Sequence, residues 1–166
     1  MKNQFIDNYS SCEATHVTLC VYPKEGGPES VSKSLGLTPT SFQKVGELSK
    51  TKSIAQIDAW FLSSKGKVSS KDSRRHIDWI LKKLEGKKRN IRGLSKKGAR
   101  VELSCYWLSK TGNGGPSHFP DQLIKIGGLG IEFYYDFYSM DALDHVLAKV
   151  INQKMGNKEK KKRIPN

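Results

Sequence analysis

The sequence predicts an α+β fold, in which a single sheet of about four strands carries helices mainly on one face, as in a ferredoxin-like sandwich. Three observations lead to this prediction. A chain of 166 residues, 36% of them hydrophobic, is the size of one domain with one core. Four segments alternate between apolar and polar side chains, which is typical of strands. Segments with apolar residues at helical spacing separate and follow them, giving the order β-α-β-α-β-α-β-α.

The four predicted strands cover residues 16–22, 53–62, 100–108 and 131–138. The last two are the clearest, because they are rich in aromatic and β-branched residues. Together with the helices below, they predict that the core includes Leu19, Ile80, Leu84, Leu103, Trp107, Phe133 and Phe137.

The helices are predicted from apolar spacing and from their end signals. A short helix follows Pro28, and a long amphipathic one covers about residues 70–98, with Gly86 bending or interrupting it. A third helix begins at Pro120 and a last one at Asp141. The predicted organisation is therefore an N-terminal extension (1–14), one α+β domain (15–155) and a mobile polybasic tail (156–166).

Several segments in order resemble the bacterial domain of unknown function 4279 family. They are LGLTPT (35–40), WFLSS (60–64), HIDWILKKL (76–84), RVELSCYWLS (100–109) with GNGGP (112–116), and LGIEFYYDFY (129–138). The resemblance extends over about residues 16–138 and implies a small α/β domain of an intracellular bacterial protein. It assigns no activity, so it carries no catalytic residue over to this chain. The basic helix and the polybasic tail depart from the family pattern.

The positive charge is concentrated in two segments. The chain has 29 Lys and Arg against 16 Asp and Glu, a net charge of +13. Residues 71–100 and the tail carry all of this excess. In a continuous helix, basic residues every seven positions form a stripe opposite the apolar face, which could bind successive phosphates. The alternative is the ordinary solvated face of an amphipathic helix. The predicted polyanion-binding residues are Lys71, Arg75, Lys82, Arg89, Lys96, Lys160, Lys161, Lys162 and Arg163.

The loop TGNGGPSHFP (111–120) joins a strand to a helix, where backbone N–H groups can hold anions. It lacks the Lys and Ser/Thr of a phosphate-binding loop, so a structural crossover is the favoured interpretation. Its expected surface exposure makes Asn113, Gly114, Ser117 and His118 candidate contact residues.

The sheet face with Tyr106, Tyr134 and Tyr138 is not expected to stack nucleic-acid bases. The same face carries Glu102, Glu132 and Asp136, whose charges would repel phosphates. Without a histidine at ligand spacing, an outer polar face is favoured over a metal site.

The sequence contains no motif for nucleophilic, metal-dependent or phosphate-transfer chemistry, so no enzyme, catalytic residue, metal or cofactor is predicted. The three cysteines form an odd set without a C-x-x-C pair, which favours unpaired thiols and a cytoplasmic protein. No apolar run approaches the length of a membrane span, and residues 1–15 lack the continuous apolar stretch of a signal peptide, so neither is expected.

These observations favour a non-catalytic binding domain with an anionic partner, nucleic acid first. A protein-interaction module of the immunity or antitoxin type, blocking an acidic effector protein, is the second hypothesis. A small-molecule-binding or enzymatic domain that uses the 111–120 loop is the third. The sequence leaves the oligomeric state open.

Overall fold

Strand pairing determines the architecture of this chain. The computed structural model describes residues 4–48 and 53–141. The strands are β1 (Cys12–Tyr22), β2 (Ser41–Gln43), β3 (Ala59–Ser63), β4 (Arg100–Ser109) and β5 (Glu132–Ser139). The helices are α1 (Gly27–Leu35), α2 (Ser73–Lys83), α3 (Lys88–Lys96) and α4 (Pro120–Leu129). The predicted helix after Asp141 and the polybasic tail lie outside the described residues.

The sheet is mixed, with the strand order β2-β3-β1-β4-β5. Strand β1 lies in the middle and pairs antiparallel with β3 and with β4. Strand β2 pairs antiparallel with β3, whereas β5 is parallel to β4. Helix α1 therefore connects β1 to β2, which are parallel to each other and have β3 between them. Helices α2 and α3 connect β3 to β4, which are parallel to each other and have β1 between them. Strand β5 extends this arrangement on the β4 side.

The α+β class and the single sheet are as predicted, but the sheet has five strands instead of about four, and the elements do not follow the predicted β-α-β-α-β-α-β-α order along the chain. Strand β2 was missed because three residues are too few to show alternation. It follows α1 and precedes β3 without an intervening helix. The segment predicted as one long helix forms two, because Gly86 has a φ of +73°, which a right-handed helix cannot include.

The core lies between one face of the sheet and the helices. The register aligns Leu19 with Leu62 and with Leu103, so all three side chains lie on the same face. Helix α2 adds Ile77 and Ile80 to this core. Helix α1 is also attached by a polar contact, in which Trp60 Nε1 donates a hydrogen bond of 2.8 Å to Ser32 Oγ.

The predicted core residues Leu19, Ile80, Leu84, Leu103 and Trp107 are fully buried. Phe133 is only partly buried against the core, and Phe137 is 45% exposed. The prediction of Phe137 as a core residue was therefore wrong. Strand β5 lies at an edge of the sheet, and the alternation of its residues does not reveal how far the helix layer extends over it.

Leu103 and Phe137 provide a matched test of this core. We expect Leu103→Ala to lower the free energy of unfolding by about 2–5 kcal/mol, because it leaves a cavity in a packed interior. Phe137→Ala should cost clearly less, although the side chain is larger, because nearly half of its surface is already in water. Urea denaturation of both variants measures the difference, and equal losses would contradict the assignment of β5 to the margin of the core.

Candidate polyanion interface

The break at Gly86 divides the predicted basic stripe between two helices. Arg75 and Lys82 belong to α2, whereas Arg89 and Lys96 belong to α3. The seven-residue spacing holds within each helix but not across the left-handed residue between them. The predicted polyanion-binding residues of the segment 71–100 therefore do not form a single straight row.

Acids of the N-terminal segment and of β1 neutralise the first part of the stripe. Arg75 forms a two-pronged ion pair with Asp7, in which Nη2 lies 2.8 Å from Oδ2, and its guanidinium lies over the Phe5 ring. Lys71 Nζ lies 3.5 Å from Glu13 Oε2. Two of the predicted phosphate contacts thus already have carboxylate partners, which sequence spacing could not reveal.

Helix α3 instead presents four cations together on its exposed side. Lys88, Arg89, Arg92 and Lys96, here called the α3 patch, line a shallow depression of about 600 Å³ with Gly86 and Gly93. No acidic residue lines it. Within the described part of the chain, none of the four forms an ion pair. Arg89 and Lys96 were predicted, whereas Lys88 and Arg92 were missed.

Gly86 is the sequence feature from which Lys88 and Arg92 could have been predicted as part of the patch. When the helix restarts after this glycine, Lys88, Arg92 and Lys96 follow one another at intervals of four residues, which places them along one face. Lys82 does not line this depression; it lines a cavity of mixed charge with Asp78, Glu85 and Asp121, which Lys88 also lines. Lys160, Lys161, Lys162 and Arg163 lie outside the described residues.

The four loop candidates make contacts within the fold. The backbone carbonyl of Asn113 accepts a 2.7 Å hydrogen bond from Ser109 Oγ, and that of Ser117 accepts one from Ser73 Oγ. Gly114 has a φ of +74°, and a Cβ there would lie 2.7 Å from Ser11 Oγ. His118 Nε2 contacts the Tyr135 hydroxyl. These contacts support the structural interpretation of the loop.

The start of α2 is organised by the buried pair Asp72 and Arg74. Asp72 caps the helix by accepting the backbone N–H of Arg74 at 3.0 Å, and it also accepts the N–H of Ile6 at 2.7 Å. The Arg74 guanidinium donates to both oxygens of the same carboxylate. Burial alone would raise the pKa of Asp72, but these hydrogen bonds outweigh it and lower the pKa.

Helix α4 is attached to the same pair. The Arg74 guanidinium lies 4.4 Å from the centroid of the Phe119 ring. The fully buried Gln122 side chain donates to the backbone carbonyl of Arg74 at 2.8 Å and to Asp78 Oδ1 at 2.7 Å. One charged pair therefore joins the N-terminal segment, α2 and α4.

His76 and Ser64 form a buried contact that resembles part of a catalytic arrangement, but it is structural. His76 Nε2 lies 2.9 Å from the Ser70 carbonyl, which only accepts, so this nitrogen carries the proton. Burial lowers the pKa of His76, and its Nδ1 lies 2.8 Å from Ser64 Oγ, which also lies 3.0 Å from the Val17 carbonyl. Both residues are at most 1% exposed, which closes them to a substrate.

The three cysteines are unpaired and buried. Burial raises the pKa of the Cys12 and Cys20 thiols to about 11 and that of Cys105 to about 12. Because the thiolate is the nucleophilic form, these side chains are unreactive near neutral pH. They pack as small apolar groups.

The sheet face opposite the helices carries the expected tyrosines and carboxylates. The register places Glu102 beside Glu132, and Tyr106 beside Asp136. Tyr106 stacks on His16 with centroids 4.7 Å apart. In the residues that the structure describes, no group of three or more His, Cys, Asp or Glu side chains could hold a metal ion.

The chain is thus a small α+β domain with a cationic helix at its surface. It matches the family described as domain of unknown function (DUF4279) over residues 13–140, so it belongs to that family, as the sequence resemblance indicated. No curated protein and no solved structure matches it. Among residues 4–48 and 53–141, no helix is long and apolar enough to cross a membrane.

We expect Asp72→Ala to lower the free energy of unfolding by about 3–5 kcal/mol, because it leaves the Arg74 charge buried without its partner. Asp72→Asn should cost less, since the amide oxygen can still accept a backbone N–H. Chemical denaturation measures both values. A loss below about 1 kcal/mol for Asp72→Ala would contradict the central role of this pair.

A second prediction concerns pH. The folded state lowers the pKa of His76 below its ordinary 6.5, so the unfolded chain binds the proton more readily. The stability that depends on the neutral ring is complete above pH 6.5 and declines as the pH falls from there to the folded-state pKa. We expect urea denaturation between pH 7.5 and 5.0 to show this decline. His76→Gln should make it shallower. A decline of the same steepness in that variant would assign the effect to His16 and His118, whose pKa values burial also lowers.

Proposed function

We propose that this protein is a non-catalytic binding domain that engages a polyanion, with nucleic acid as the first choice, through the α3 patch. The observation that carries the proposal is the concentration of four cations around one depression whose lining contains no aspartate or glutamate. Several cations elsewhere on the described surface, such as Lys44 and Lys125, are instead held by carboxylates. A free cation can neutralise a phosphate without first giving up a partner.

The dimensions of α3 suit a phosphate backbone. Its nine residues span about 13 Å, at 1.5 Å each. That length, extended by the long side chains of the patch, spans several successive phosphates of a nucleic-acid backbone. Two of the four patch residues are arginines, which bind phosphates with two parallel hydrogen bonds. The two glycines of the depression present no side chain that would keep a backbone away.

A binding role, as opposed to a catalytic one, is supported by the burial of the cysteine thiols and of Ser64 with His76. The buried thiols have raised pKa values, and the Ser64–His76 contact is closed to solvent. The proposal places the protein in the bacterial cytoplasm, which its unpaired cysteines favour. The polybasic tail, residues Lys160 to Arg163, belongs to the proposal on its charge alone.

The test is a quadruple variant of the patch, with Lys88, Arg89, Arg92 and Lys96 all changed to Gln. Binding to a short DNA duplex is followed by fluorescence anisotropy between 50 and 200 mM salt. Four phosphate contacts predict a slope of log affinity against log salt near −3.6, or about 100-fold weaker binding over that range. The variant should lose this slope, while its thermal stability stays nearly unchanged because the four side chains are exposed.

The matched control changes Lys33, Lys44, Lys110 and Lys125 to Gln. It removes the same charge, but three of these residues are already paired with carboxylates. An equal loss in the control would show that only net charge matters, and unchanged binding in the patch variant would reject the surface. If the wild type fails to bind duplex or single strands at about 50 mM salt, the nucleic-acid proposal falls and the acidic protein partner replaces it.

A further inference from the structure

A second cationic surface lies away from α3, between the loop that follows α1 and the exposed side of α2. It is a cleft of about 640 Å³, here called the Trp79 cleft, within the range of about 300–1,000 Å³ typical of small-molecule sites. Its walls contain no aspartate or glutamate. The residues that line it and carry the argument are Thr38, Thr40, Lys65, Lys67, Trp79 and Lys83.

The cleft combines cations with one aromatic ring. Lys65 and Lys67 are exposed, and neither forms an ion pair with any residue of the described ranges. Lys83 Nζ lies 5.5 Å from the centroid of the Trp79 ring, one helical turn away. The Trp79 indole packs partly against the core, which fixes its position, and leaves part of its surface in the cleft.

Backbone hydrogen bonds hold both walls, one to β3 and one within the turn that follows β3, so the cleft is preformed. Thr40 donates its backbone N–H to the Phe61 carbonyl at 2.8 Å, and its hydroxyl accepts the N–H of Ser63 at 3.0 Å. On the other side, the N–H of Lys67 donates to the Ser64 carbonyl at 3.0 Å, which closes the turn that carries both lysines. A preformed site loses little entropy when a ligand binds.

We propose that the Trp79 cleft binds a nucleoside monophosphate unit, with the base against the Trp79 indole and the phosphate between Lys65 and Lys67. A simple anion would account for the lysines but not for the ring, and an apolar ligand would account for the ring but not for the lysines. A base with a phosphate satisfies both. The proposal does not depend on duplex binding by the α3 patch.

Tryptophan fluorescence provides a direct readout. The chain has three tryptophans, and Trp60 and Trp107 are both 0% exposed, so a ligand in solution can reach only Trp79. We expect AMP to quench the emission and to bind at least about 10-fold more tightly than adenosine or ribose 5-phosphate, each of which supplies half of the contacts. Absence of quenching by AMP at millimolar concentration, or equal binding of adenosine and AMP, would overturn the proposal.

Variants assign the two halves of the site, with affinities measured by calorimetry. Lys65→Gln with Lys67→Gln should weaken AMP binding about 10-fold or more, and both changes lie on exposed side chains that the fold does not require. The control is Lys33→Gln with Lys125→Gln, which removes the same charge elsewhere. Trp79→Leu should weaken AMP binding, whereas Trp79→Phe should keep most of the wild-type affinity because it retains an aromatic ring. Equal affinity in the lysine variant and its control would overturn the proposal.

The nucleotide can come from two sources, a free metabolite or a single strand of nucleic acid. Competition between AMP and a single-stranded decamer of adenylate distinguishes them. A decamer that displaces AMP at a lower concentration of nucleotide units assigns the cleft to single strands, and the opposite order assigns it to free nucleotides. The quadruple α3 variant should bind AMP as the wild type does, and a parallel loss there would show that the two surfaces are not separate and would overturn the assignment.

Discussion

The carboxylate of Asp72 is the constraint on which much of this structure depends. A buried charge must receive hydrogen bonds, and the donors around Asp72 come from Ile6 and from both the backbone and side chain of Arg74. Satisfying one carboxylate therefore fixes the start of α2 and attaches the N-terminal segment. Because Phe119 and Gln122 contact Arg74 in turn, the same charge also positions α4.

This arrangement also determines where positive charge remains free. The acids of the N-terminal segment and β1, Asp7 and Glu13, lie beside Arg75, Lys71 and Lys110, and they neutralise the surface at the start of α2. No acid lines the depression on the exposed side of α3, and among the described residues none of its four cations forms an ion pair. An evenly basic segment in the sequence thus becomes one neutralised surface and one cationic surface in the fold.

The sequence revealed what depends on local pattern. Strands β4 and β5 were predicted closely because alternation follows directly from the geometry of a strand. Strand β2 could not be predicted, because its pairing comes from β3 rather than from its own three residues. The partners of Arg75 and the neighbours of Trp79 were equally inaccessible. They lie far away in the chain, as Asp7 does from Arg75, and only the folded chain brings them together.

Gly86 connects the core to the proposed interface. In an unbroken helix, Lys88 would follow Leu84 by four residues and Leu81 by seven, and would point into the core with them. At a φ of +73° the chain leaves the helix, and α3 restarts with Ile91 fully buried and Lys88 exposed. A Cβ at position 86 would meet no atom within 4 Å, so the demand for glycine comes from the backbone alone. The break at Gly86 therefore keeps Lys88 out of the core and also places it in the α3 patch.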